Sequence, residues 1–257
     1  MINDIKGVIF DFGGTLDTRG DHWSEVIYDG YRHMGVVVDK MAYRNAYVYG
    51  ERALAVNPIV TPDFHFVDIL RVKIRLQLQF LAMRPLLPTG KDDAERQAGT
   101  GRQIDMDDEQ IDTLANSMAQ YINGVTNELL AQNRCVLEYL REKGLPMVLV
   151  SNFYGNIATV LRDAHLDGYF KHIVESAVVG VRKPNPAIFA LGVCALDLPA
   201  SQVVVVGDTF GKDIVPARQL GCHTIWIKGR QWEDKVCDES LCDAVISDLQ
   251  QIKQLIG

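Results

Sequence analysis

Four short apolar runs constrain this chain more than anything else in it. GVIF ends at Asp11, MVLV ends before Ser151, HIVESAVVG lies around residue 175, and VVVVG ends at Asp208. A fifth run, TIWI, follows. MVLV and VVVVG show no polar alternation, which is the pattern of strands covered on both faces in a parallel sheet. Helical patterns lie between the runs: IATVLRDAHL after Asn156, PAIFALGVCALD after Asn185, and DIVPARQLG, where Gly221 is a stop signal. This alternation predicts an α/β fold with an open, doubly wound sheet. Near the C-terminus, DAVISDLQQIKQLI reads as a last strand followed by a short helix.

Residues 20 to 130 carry a different pattern. HWSEVIYDGYRHMG, KMAYRNAYVYGERALAV, TPDFHFVDILRVKIRLQLQFLAM and DEQIDTLANSMAQYINGVTNELLAQ read as a set of helices. Within the third, VKIRLQLQF alternates with period two, but Thr61 and Pro62 supply cap and first-turn signals for a helix. The polar segment PTGKDDAERQAGTGRQ is expected to be an exposed loop dividing this set.

With 257 residues, of which 47% are apolar and 23% charged, the chain can bury a sizeable core. Its net charge of -7 argues against non-specific binding of nucleic acid or an anionic membrane, so a small molecule is the expected partner. The five cysteines, Cys135, Cys194, Cys222, Cys237 and Cys242, are odd in number and lack paired metal-ligand spacing, which fits free thiols in a reducing compartment. No basic-then-apolar leader or long apolar run is present, so a cytoplasmic location is expected. Oligomeric state is not legible.

In an open parallel sheet, functional groups collect just beyond the carboxyl ends of the strands. Asp11, Ser151, Lys183 and Asp208 fit that region. Singly, each is an ordinary turn, cap or surface residue; four at successive strand ends point to one site. In their order, DFGGTL, LVSN, GVRKPNPAIF and VVGDTFGKDIVPARQLG resemble the four motifs of the haloacid dehalogenase superfamily, mostly aspartate-nucleophile phosphohydrolases. The likeness covers roughly residues 1–20 and 130–235. It implies a Rossmann-like core at 1–19 and 131–257, with an inserted helical cap at 20–130. It implies Asp11 as nucleophile, Mg2+ held by Asp11, the Gly13 carbonyl and Asp208, and a phosphorylated small molecule as substrate. Gly14, Thr15, Ser151, Asn152 and Lys183 are then the phosphate-binding candidates, and Asp213 orients metal-bound water or Lys183.

One residue departs from the pattern. Gly13 stands where the family carries a second aspartate for acid-base work, a role typically worth roughly 10² to 10⁴ in rate. Thr18 likewise stands where many relatives carry a further aspartate. Three readings follow. The first is a phosphohydrolase whose substrate leaves without a proton, or whose acid-base group is Asp17, Asp21 or His22. The second is a dehalogenase, or a phosphonatase-type enzyme using Lys40, Lys73 or Lys91; the retained GDTFGKD counts against a dehalogenase, which needs no metal. The third is a non-catalytic protein that binds a phosphometabolite or a protein partner. Trp23, Tyr28, Tyr31, Tyr43, Tyr47 and Tyr49 are expected to pack helices rather than line a pocket, and Trp226 and Trp232 to be structural.

Overall fold

The structure is a computed structural model, and it describes residues 2–57, 59–82, 104–232 and 236–256. The segment read as a dividing loop, and Lys91 within it, lie outside the described residues. Six strands, β1 (Gly7–Phe10), β2 (Met147–Ser151), β3 (Phe170–Glu175), β4 (Val203–Gly207), β5 (His223–Ile227) and β6 (Ala244–Ile246), form one parallel sheet in the order β3-β2-β1-β4-β5-β6. Every residue of β1, β2 and β4 is buried, as their unbroken apolar runs require. The chain moves outward from β1 to β3 and then returns to lay β4 on the other side of β1. At such a reversal neighbouring connections leave in opposite directions, and a crevice opens beyond the strand ends. Phe10 pairs with Val206, and the Asp11 N–H donates to the Val206 carbonyl at 3.0 Å, so the ladder holds both strands up to that crevice.

The helices are α1 (Trp23–His33), α2 (Lys40–Val56), α3 (Phe66–Ala82), α4 (Asp108–Glu142), α5 (Ile157–Asp163), α6 (Ser176–Val179), α7 (Ala187–Leu196), α8 (Val215–Gln219) and α9 (Ile252–Leu255). On one face of the sheet Ile9, Val148, Val150, Val203 and Val205 pack with Ile188, Phe189 and Leu196 of α7. A Cβ on Gly192 would lie 2.9 Å from Val150 Cγ2, so α7 approaches the sheet as closely as glycine permits. Each of these buried aliphatic side chains contributes about 1.5–3 kcal/mol, which gives the strand tips a rigid base.

The chain forms two compact units. One comprises Met1–Glu25, Thr61–Asp63 and Val125–Gly257, and the other Val26–Val60 and Phe64–Gly124. The first holds the sheet. In the second, inserted between β1 and β2 in the chain, the described elements are all helical. Its interior is filled by Ile27, Tyr31, Tyr43, Ile69, Ile74 and Leu78. Tyr43 lies 4.8 Å from Tyr28 and 5.4 Å from Tyr31, ring centre to ring centre, so these aromatics pack helices. Tyr49 is more exposed and sits beside Phe80.

Three boundaries differ from the sequence reading. The third helix starts at Phe66 rather than at Thr61 and Pro62. Thr61 Oγ1 bonds the Asp63 carboxylate, and the His65 N–H donates to Asp68 Oδ2 at 3.0 Å, so the true N-terminal bond lies four residues later. The run around residue 175 is strand only to Glu175; SAVV turns into α6 and ends at Gly180, whose φ of 72° favours glycine. In DIVPARQLG, α8 begins at Val215 and is preceded by a π-helical turn, Phe210–Ile214. Pro216 has no N–H for the carbonyl one turn before it, so a regular helix cannot run back unbroken through this segment. Among the described residues, no helix is long and apolar enough to cross a membrane.

Candidate active site

Asp11 stands one residue past β1, Ser151 ends β2, and Asp208 stands one residue past β4. The π-helical turn after β4 brings Asp213 back over the same strand end, so close that a Cβ on Gly207 would lie 2.4 Å from the Asp213 Cβ. Lys183 lies in the loop between α6 and α7, before a cis proline. Its amine sits 2.7 Å from Asp11 Oδ1 and 2.7 Å from Asp213 Oδ1. One carboxylate oxygen from each of Asp11, Asp208 and Asp213 lies within 4.8 Å of the others, near enough to share one cation. All four residues are at most 7% exposed, so this is a charge cluster inside the protein rather than a solvated acidic face.

The surrounding bonds fix each group. Asp213 Oδ2 accepts the Thr209 N–H at 3.0 Å, leaving Oδ1 for Lys183. Trp226 Nε1 donates to the Asp208 carbonyl at 2.7 Å, and its ring packs on Phe210, so Trp226 buttresses the Asp208 backbone. Asn152 uses both ends of its side-chain amide on the Lys183 backbone: Oδ1 accepts the Lys183 N–H at 2.9 Å and Nδ2 donates to its carbonyl at 3.1 Å. The Asn152 side chain thus ties the lysine loop to the tip of β2, and only its main chain is left for an anion. Ser151 and Thr15 are buried, Thr15 with no partner for its hydroxyl among the described residues.

The site has too little positive charge for its carboxylates. Burial pushes the Asp11 carboxyl up to about 6, with Asp213 adding to the rise and Lys183 opposing it. Burial, reinforced by Asp213 and Asp11, holds Asp208 well above the usual carboxylate range. For Lys183 burial disfavours the charge, but Asp11 and Asp213 outweigh it and hold the amine above its ordinary value. Among the described residues, Asp208 Oδ1 is buried without a hydrogen-bond partner. A divalent cation that favours hard oxygen ligands fits this donor set.

Gly14 and Gly13 differ sharply. Gly14 has φ of 94°, and a methyl group there would lie 2.3 Å from Asp208 Cγ, so backbone and space both require glycine. Gly13 does not adopt positive φ, and among the described residues its Cβ would meet only Trp23 Cδ1 and Nε1, each at 3.7 Å. Nothing in the backbone excludes a side chain at position 13.

The three groups named as replacements for the missing acid are placed differently. Asp21 is held by Arg230, accepting its main-chain N–H at 2.7 Å and its Nε at 2.9 Å. His22 Nδ1 lies 2.8 Å from Ser24 Oγ. Asp17 is buried, with Oδ1 accepting the Gly14 N–H at 2.6 Å and Oδ2 accepting Trp23 Nε1–H at 3.0 Å. Burial pushes it up to about 8, against the pull of those hydrogen bonds. Since that value exceeds the unfolded 3.8, protonated Asp17 favours the fold at acid pH, and this contribution is lost as pH rises from about 4 to about 8. Metal-free protein is therefore expected to melt at a lower temperature at pH 8 than at pH 5. Thermal melts in chelator should show a smaller difference for Asp17→Asn, and an equal difference would mean that other groups carry it.

Sequence reasoning missed Trp23, Trp226 and Glu175 as site-shaping residues. Glu175 ends β3 and accepts the Gly155 N–H at 2.5 Å, holding the loop after β2. Their bonds run to distant main-chain atoms or to another loop, for which no local pattern exists.

A family model described as haloacid dehalogenase-like hydrolase matches residues 5–221. Over 112 residues, 43% of this chain and 46% of the relative, the sequence is 37% identical to haloacid dehalogenase-like hydrolase domain-containing protein 3 of Danio rerio. Over 92 residues, 35% of this chain and 38% of the relative, it is 33% identical to glyceraldehyde 3-phosphate phosphatase of Pyrococcus furiosus. The chain thus spans less than half the length of these curated relatives. The HAD-hydrolase YfnB of Bacillus subtilis, solved with magnesium, shares the fold at a TM-score of 0.58 and 15% identity, over 99% of this chain and 100% of that one. Because the family match runs from β1 through α8 and takes in every strand-tip group described above, the chain belongs to the haloacid dehalogenase-like hydrolases.

Proposed function

We propose that this hydrolase is a Mg2+-dependent phosphohydrolase acting on a phosphorylated small molecule through Asp11. The observation that carries the reading is the buried cluster in which the Lys183 amine touches Asp11 and Asp213 while Asp208 keeps an oxygen without a partner among the described residues. Phosphoryl transfer needs charge held in fixed positions around an anion, and this cluster has that composition. The phosphatase named among the relatives supports the same class.

Asp11, the Gly13 carbonyl and Asp208 are the ligands proposed for Mg2+, which when bound would neutralise charge on the phosphoryl group. Asp11 would attack phosphorus and displace the leaving oxygen, forming an aspartyl-phosphate that water then hydrolyses. Lys183 would hold a phosphoryl oxygen by charge while Asp213 keeps the amine protonated and aimed. The Thr15 and Ser151 hydroxyls and main-chain N–H groups at Gly14 and Asn152 are the remaining donors proposed for the phosphate. We assign the sheet at 1–19 and 131–257 as the catalytic core and the helices of 20–130 as the cap that selects the substrate.

A phosphonatase reading needs a neutral cap lysine. Lys73 is buried and paired with Glu51 at 2.6 Å, and Lys40 lies over the Tyr28 ring, so both amines already face a group that a cation suits. The test is a panel of acyl phosphates, phosphate monoesters, phosphonates and 2-haloacids, assayed with and without Mg2+ beside Asp11→Asn. Phosphate release that requires Mg2+ and falls by roughly 10⁴-fold or more in the variant is the expected result. Metal-independent halide release selects a dehalogenase, and no turnover across the panel favours a binding protein.

A further inference from the structure

We infer that Asp17 is a positioning residue for the metal site: it fixes the Gly13–Gly14 peptide so that the Gly13 carbonyl is presented to the cation. This rests on the metal reading above and goes beyond it, because that reading leaves Asp17 without a task. The N–H of Gly14 and the carbonyl of Gly13 belong to one trans peptide, so they point in opposite directions. Asp17 Oδ1 holds the N–H end at 2.6 Å. The next peptide is held as well, since the Gly14 carbonyl accepts Thr18 Oγ1 at 2.7 Å and the Gly20 N–H at 3.0 Å. Among the described residues, nothing donates to the Gly13 carbonyl.

The same peptide lies against the acid cluster, because the space beside the Gly14 Cα is filled by the Asp208 carboxyl. Asp17 is itself held from the other side, with Trp23 Nε1 donating to Oδ2 at 3.0 Å. Trp23, Asp17, Gly14 and Gly13 form a relay in which each link fixes the orientation of the next. Residues that orient a metal ligand are commonly worth about 10- to 100-fold in metal affinity. A carboxyl at position 17 is suited to this place because it accepts two N–H bonds at once. An asparagine has one accepting oxygen for the same two donors.

The substrate-free protein should be titrated with Mg2+ by calorimetry and with Mn2+ by electron paramagnetic resonance, with thermal melts to verify folding. Asp17→Ala is expected to weaken binding about 10- to 100-fold. Asp17→Asn should weaken it as well, because the indole and Gly14 compete for one oxygen. Adding Trp23→Phe to Asp17→Asn removes that competition and should restore affinity, a rescue that a purely structural role would not produce. Trp23→Phe alone sets the level to which the double variant should return, because Asp17 there keeps its bond to Gly14 but loses its second anchor. Wild-type affinity in Asp17→Ala, or a double variant no better than Asp17→Asn, would overturn the inference and leave the metal reading standing. Should Asp17→Ala fail to fold, the rescue comparison decides alone. Wild-type protein that binds neither ion would remove the metal reading, and this inference with it.

Discussion

Gly13→Asp is expected to raise turnover of unactivated alkyl phosphates by roughly 10² to 10⁴, the usual value of a positioned acid-base group. The substitution is expected to fold. Position 13 lies outside the left-handed region, and among the described residues its Cβ would touch only the Trp23 edge, at ordinary contact distance. The new carboxyl would stand beside the indole N–H that already serves Asp17. The gain should be smallest for acyl phosphates, whose leaving groups depart without a proton. Steady-state kcat/KM across substrates of rising leaving-group basicity measures it. A flat response would mean that another group already supplies the proton, or that the site cannot aim the new acid.

Lys183→Met is expected to separate three properties that the cluster combines. Lys183 is 3% exposed and faces two carboxylates, so its removal leaves buried charge uncompensated. Losing one partner of a buried ion pair costs about 3–5 kcal/mol, which urea unfolding in chelator would read. Turnover should fall by about 10²- to 10³-fold, as when one fixed donor to a developing charge is removed. Divalent-ion affinity should nevertheless hold or rise, because a competing positive charge has left the three carboxylates. Weaker ion binding in a folded variant would show that Lys183 builds the carboxylate geometry rather than offsetting its charge.

Strand content was legible because it is a local property. GVIF, MVLV and VVVVG can satisfy their backbone and bury both faces only inside a sheet, and each became a strand of the parallel sheet. The aromatic-rich pattern before residue 60 likewise matched helices, with Tyr31 and Tyr43 packed between them. Boundaries were less legible wherever a side chain competed for the backbone, as Asp68 does at the start of α3, or wherever a proline altered the turn, as Pro216 does before α8.

The candidate site divides in the same way. Residue types at the strand tips, and the absence of a carboxylate at position 13, stand in the sequence itself. Which atoms meet is another matter, because a bond such as Asn152 to Lys183 joins residues that are remote along the chain. Asp17 makes the point at short range: sequence offers a polar residue in a loop, but folding turned one oxygen to Gly14, the other to Trp23, and buried both. Contact and desolvation depend on where the whole sheet carries each loop, and it is those two quantities that turn three acids and a lysine into a charged cluster.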